Sequence, residues 1–124
     1  MTIHSRRAEK EVISIIGNGF PGKAILHWYS GSISDLKKAV LFGFYFSINS
    51  SMTQSKNVIN IIRSIPDDKL LLESDSPFIG VNRQSITPPD MSVIIQEIAA
   101  IKGISVFKIK HVLKENFKSI LEIN

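Results

Sequence analysis

This chain predicts an α/β fold built on a parallel sheet, and three observations carry that prediction. Strand-like apolar runs alternate with helical stripes four times along 124 residues, an order that packs as successive βα units with right-handed crossovers. The run Leu70-Leu71-Leu72 is continuous rather than alternating, which suits a strand buried on both faces. Glu73 and Asp75 follow it at once, and Pro77 stops the ladder. Acids at the carboxyl end of a parallel strand stand where active sites collect.

The elements follow in order. Met1 to His4 is a short apolar lead ending in a histidine, and Ser5 can cap a helix from about Arg6 to Ile16, with Ala8, Val12, Ile13 and Ile16 inward and Gly17 at its end. Residues 18–22 are loop, Ala24 to Leu26 is the second strand, and His27 stands at its exit. Ser32 or Ser34 caps the next helix, whose inward stripe is Leu36, Ala39, Val40 and Phe42, before Gly43 closes it. Phe44 to Asn49 is the third strand, Ser50-Ser51 a turn, and a helix runs from about Thr53 to Ser64. Pro66-Asp67-Asp68 turns the chain into the fourth strand, and 80–89 is a loop without periodicity. Asp90 caps a helix to Lys102, and Ser105 opens the last helix, striped by Val106, Ile109, Leu113 and Phe117.

Composition sets the outer bounds. With 44% hydrophobic and 21% charged residues and a mean hydropathy of +0.12, the chain is an ordinary core-forming domain rather than a disordered segment. It has no cysteine, so disulfides and thiolate metal sites are excluded and any metal must rest on His, Asp or Glu. No apolar run approaches the ~20 residues of a membrane span, and the N-terminal stretch has no signal-like apolar region, so a cytoplasmic protein without a membrane partner is expected. A net charge of +4 fits a polyanionic partner as readily as a domain that is merely basic. No linker divides the chain, which reads as one unit over 1–124. Four strands are half of an eight-stranded βα barrel, which takes about 200 residues or more.

His4, His27 and Asp75 each fall at the carboxyl end of a predicted strand, so a parallel sheet brings all three to one rim. Imidazole and carboxylate together suit Zn, Mn and related divalent ions, which acidify bound water or clamp a phosphate oxygen. The alternative is coincidence, two histidines and an acid at strand ends without a common task. Arg6 is suited either to clamp a phosphate or to pair with Glu9, Glu73 or Asp75. Trp28 and Tyr29 either stack on a base of single-stranded DNA or pack beneath the rim. Ser30, Gly31 and Ser32 either offer backbone N–H groups to phosphate or form a tight turn. Asn49 and Ser50 are rim contacts or turn residues. His111, in a lysine-rich helix, reads as solvated surface.

At these motifs the chain resembles a known family. Ile3-His4-Ser5-Arg6, Leu26-His27-Trp28-Tyr29-Ser30-Gly31-Ser32, Gly43-Phe44-Tyr45-Phe46-Ser47 and Leu71-Leu72-Glu73-Ser74-Asp75-Ser76-Pro77 are similar, in order and spacing, to the last four strands of the TatD-like metal-dependent deoxyribonucleases. Pro88-Pro89 and the segments 98–105 and 115–117 resemble that family's C-terminal helices. The His-Trp-Tyr-Ser-Gly form, with the Gly-Phe-Tyr-Phe-Ser-Ile-Asn strand, looks closer to the TatD-related Qat branch of anti-phage defence clusters than to the housekeeping branch. The resemblance implies the C-terminal half of a TIM (β/α)₈ barrel and a phosphodiesterase using one or two divalent ions (Mg, Mn or Zn) and acting on DNA. It implies His4, His27 and Asp75 as metal ligands, with Asp75 also orienting or deprotonating the attacking water; the reading of the residues adds Arg6, Trp28, Ser30 and Asn49 as candidate substrate contacts, with the alternatives given above. The family's paired-His and Gly-Glu-x-Gly-Leu-Asp motifs are not in this chain. An isolated copy is therefore expected to be incomplete, to need the missing N-terminal half or to self-associate. A rival expectation is a non-catalytic remnant that binds nucleic acid or a partner.

Overall fold

The computed structural model describes residues 1–74 and 91–122. Four strands, β1 (Thr2–His4), β2 (Ile25–His27), β3 (Tyr45–Ile48) and β4 (Leu70–Leu72), form one parallel sheet in sequence order. The helices are α1 (Glu9–Ile16), α2 (Ile33–Leu41), α3 (Ser50–Gln54), α4 (Ile59–Ser64), α5 (Met91–Lys102) and α6 (Val106–Leu121). The α/β class and the parallel order are as the sequence predicted, and the four βα units correspond to a fragment of a TIM barrel.

Register decides which side chains meet. Ile3, Leu26, Phe46 and Leu70 lie across from one another, and so do His4, His27, Ser47 and Leu71. Side chains alternate along each strand, so the first row and Ile48 share one face, where they pack with Ile13, Leu36, Ile62, Ile94 and Ile98 into the core. Burial of each such side chain stabilises the fold by roughly 1.5–3 kcal/mol. The second row, with Ile25 and Tyr45, lies on the opposite face, so the histidines open away from the main core.

Several local expectations are corrected. Helix α1 begins at Glu9 and not at Arg6, because Ser5 does not cap it. The Ser5 carbonyl instead accepts the Ala8 N–H at 2.7 Å across a turn in which Arg7 takes a φ of 62°. The expected helix over 53–64 is two helices. Asn49 accepts the Met52 N–H at 3.1 Å and starts α3 directly after β3, so Ser50 and Ser51 are helical rather than a turn, and the chain turns again before α4. In α6 the inward position expected for Phe117 is taken by Asn116. Phe117 is 59% exposed, whereas Asn116 is buried because its amide donates to the carbonyls of Asp67 and Leu70 at 2.7 Å each. Ser32 and Ser105 do cap their helices, accepting the N–H groups of Asp35 and Lys108. The expected cap at Asp90 and the loop at 80–89 lie outside the described residues. Among the described residues no helix is long and apolar enough to cross a membrane.

The Glu73 N–H bonds to the Ile48 carbonyl, so by alternation the Leu70 carbonyl points to the side of β4 away from β3, where the Asn116 amide meets it. Replacing Asn116 with Ala takes the donor from the Leu70 carbonyl and one of two donors from the Asp67 carbonyl, which keeps the Leu70 N–H. It should lower the free energy of unfolding by about 1–3 kcal/mol, read from urea denaturation monitored by circular dichroism.

Candidate metal centre

Neighbouring strands in a sheet run about 4.8 Å apart, so in-register residues project side by side. His4 and His27 are such a pair, with ring centroids 5.0 Å apart and planes inclined by 41°. The His27 side chain is only 17% exposed, whereas His4, on the outer strand, is exposed.

The group that fixes His27 is Glu73. One residue past β4, its backbone continues the ladder onto Ile48, and its side chain turns to the histidine face. One carboxylate oxygen contacts His27 Nδ1 and accepts the Ser47 hydroxyl, and the other accepts the Asn49 amide at 2.9 Å. Burial raises the Glu73 pKa above the ordinary carboxyl value, and the hydrogen bonds from Ser47 and Asn49, followed by His27, oppose that rise. A carboxylate on Nδ1 sets the tautomer and the ring plane of an imidazole and makes Nε2 the metal-facing nitrogen. The sequence offered Glu73 as an acid at the strand exit and a possible partner of Arg6, and so missed its approach to His27. The available signal was Ser47 and Asn49, two polar residues of like parity in an otherwise apolar strand.

The segment after β2 builds the other wall. Tyr29 is fully buried and its hydroxyl donates to the Ser32 carbonyl at 2.6 Å. Gly31 is required there, because a Cβ would stand 2.6 Å from the Tyr29 hydroxyl and 2.9 Å from Glu9 Cβ. Ser30 donates to buried Glu9 at 2.8 Å, and Glu9 also accepts the Arg7 N–H at 3.3 Å. With Glu9 and Glu73 engaged elsewhere, Arg6 forms no ion pair among the described residues, and it lines a cavity of about 300 Å³ together with His4, Trp28 and Ser30. Asn49 is not at the rim but fully buried, with its amide divided between Glu73 and the start of α3. Asp75 lies outside the described residues. Among those described, no group of three or more His, Cys, Asp or Glu side chains is placed to hold a metal, and His111 is exposed, as expected.

The parallel βα units bring a histidine pair to one carboxyl rim, where function collects in folds of this class. The family model described as TatD related DNase matches residues 1–122, and the chain belongs to that family. It is 31% identical over 117 residues to deoxyribonuclease TATDN3 of Homo sapiens, covering 94% of this chain and 43% of the relative. It is 28% identical over 130 residues to YabD of Bacillus subtilis, described as an uncharacterized metal-dependent hydrolase, over 98% of this chain and 51% of the relative. The crystal structure of YJJV, a TatD homolog from Escherichia coli K12, superposes with a TM-score of 0.83 at 19% identity, over 99% of this chain and 50% of that one. The chain thus spans about half the length of these relatives.

Two outcomes follow from this geometry. Glu73→Gln, which keeps shape but not charge, should weaken binding of Zn²⁺ or Mn²⁺ by roughly 10- to 100-fold in calorimetric titration without altering the far-ultraviolet dichroism. Burial, and then the charges of Asp35 and Glu9, raise the Tyr29 pKa well above 10. Its contribution to stability is therefore complete below the ordinary tyrosine value of about 10 and is lost as pH rises beyond it toward the folded value. Tyr29→Phe should flatten the alkaline fall of the thermal midpoint above about pH 10.

Proposed function

We propose that residues 1–124 are one partial hydrolase domain, which supplies half of the active centre of a metal-dependent phosphodiesterase acting on DNA. The observation that carries this reading is the pair of imidazoles, His4 and His27, with ring centroids 5.0 Å apart at adjoining strand ends and the second backed by a partly buried carboxylate. A nitrogen and oxygen donor set without sulfur fits Mg, Mn or Zn, and His4, His27 and Asp75 would hold one or two such ions. When bound, the ion polarises a phosphoryl oxygen and lowers the pKa of the attacking water.

The protein's own groups do the rest. Glu73 keeps the His27 ring plane fixed, while Ser47 and Asn49 keep Glu73 fixed. Asp75 orients the water and accepts its proton. Arg6, facing the cavity beside His4, meets the phosphate with a planar fork of donors. DNA as substrate is supported by family membership and by the deoxyribonuclease name of the human relative. Because the chain spans half of its relatives, we infer that catalysis needs the remaining barrel strands, supplied by an N-terminal half. A second copy would restore burial but not the missing motifs. The compartment that fits this reading is the cytoplasm.

In a protein carrying this chain together with the remaining strands, His4→Ala, His27→Ala and Asp75→Asn should each reduce metal-dependent DNA hydrolysis by ~10²-fold or more while the melting temperature stays close to that of the parent. Near-full activity of Asp75→Asn in excess Mg²⁺ would sink the assignment.

A further inference from the structure

The sheet has two outer edges, and the flanks beside them match each other. With the strand order β1-β2-β3-β4, the edges among the described residues belong to β1 and β4. On β1 the Met1 carbonyl accepts the Ile25 N–H at 2.9 Å, so by alternation the backbone groups of Thr2 and His4 point outward. On β4 those of Leu72 point outward, while Leu70 is already matched by the Asp67 carbonyl and the Asn116 amide. Edges of this kind are templates for pairing with a strand of another chain.

The flank beside β4 is a groove of about 330 Å³ whose lining includes Leu71, Leu72, Leu113 and Phe117, with Lys110 and Lys114 on the same helix as the last two. Phe117 is 59% exposed and Leu121, one turn on, is exposed as well. The flank beside β1 is helix α1. Its Ser14 accepts the Lys38 ammonium of α2 at 3.4 Å, and Ile15, about 100° further round the helix, faces away from α2 and is 84% exposed. Glu11, one turn before Ile15, is exposed too. Single exposed apolar residues are ordinary on a protein surface. Here they stand on the two flanks that border the open edges, with basic side chains on one and an acidic side chain on the other.

We propose that these flanks bind each other in a second copy of this chain. A two-fold axis parallel to the barrel axis sets β4 of each copy beside β1 of the other, so that eight parallel strands close without an edge. Phe117 and Leu113 of one copy then cover Ile15 of the other, and Lys110 and Lys114 meet Glu11. The axis repeats the contact, so each copy gives both flanks and receives both. The inference goes beyond the hydrolase reading and stands on the sheet and its flanks alone.

Sedimentation velocity and light scattering on the 124-residue chain decide it. A dimer of twice 13.8 kDa is expected across the micromolar range. Ile15→Asp and Phe117→Asp should each raise its dissociation constant by about 30-fold or more. Glu11→Lys alone, and Lys110→Glu with Lys114→Glu in one chain, should each weaken the dimer by about tenfold through like charges at both contacts. An equimolar mixture of these two charge variants should regain the original affinity as a heterodimer, because opposite signs face each other again at both contacts. If Ile15→Asp or Phe117→Asp does not fold, the charge variants, all at exposed positions, carry the test. A monomer at every concentration, open-ended assembly, a dimer indifferent to all these changes, or a mixture that stays as weak as its components overturns the proposal.

Discussion

One partly buried carboxylate, Glu73, governs the upper edge of this sheet. Taking Glu73 out of water would be costly without donors, and the donors come from the neighbouring strands: the ring of His27 on β2, the hydroxyl of Ser47 on β3 and the amide of Asn49 just beyond it. The arrangement therefore works in one register only. A slip of a single residue would turn His27 or Ser47 to the opposite face, leaving the carboxylate unmatched and the core short of Leu26 or Phe46. The polar cluster and the apolar core specify the same alignment from opposite sides of the sheet, which is the agreement across levels that a unique fold requires.

That double constraint explains what was legible in the sequence. Continuous apolar triplets bounded by turn residues gave the strands, and Ser32 and Ser105 marked helix starts because capping is a local event involving an N–H three residues on. His4 and His27 stood out as strand-end residues, and a parallel sheet places all strand ends of one polarity together. Asn116 was not legible, since nothing near it in the chain announces that its amide will meet Asp67 and Leu70, about 46 residues away or more. Nor was the break between α3 and α4, which depends on Asn49 turning back to cap the chain. Glu73 was ambiguous for the same reason, because its partners are chosen by register, which is a property of pairs of strands.

The segment after β2 shows how rigidity is passed along the rim. Gly31 lets the Tyr29 ring lie against the chain, Tyr29 fixes the carbonyl at the start of α2, and Ser30 and Arg7 share Glu9 at the start of α1. Two helix starts and one strand end are thus tied by a few short contacts. Trp28 sits between these fixed points, so its left-handed backbone is imposed by the neighbours rather than relaxed by them.

The two edges of the sheet are supported unequally, and this bears on the histidine pair. On the β4 side, Tyr45 and Leu71 are buried although they lie on the face opposite the main core. The Tyr45 hydroxyl meets Ser119 of α6 at 3.2 Å, and Lys69 lies over its ring. On the β1 side Thr2 and His4 are exposed and Ile25 is only partly covered. His27 is thus pinned by Glu73, whereas among the described residues His4 is held by ring contacts with His27 and Trp28. A metal ligand whose rotamer is free must lose that freedom on binding, which lowers affinity by the entropy of ordering it. In a barrel a further strand lies beside β1 and restricts that freedom beforehand. This chain spans about half the length of its relatives, and on the function proposed above a strand beside β1 would contribute the preorganisation of His4.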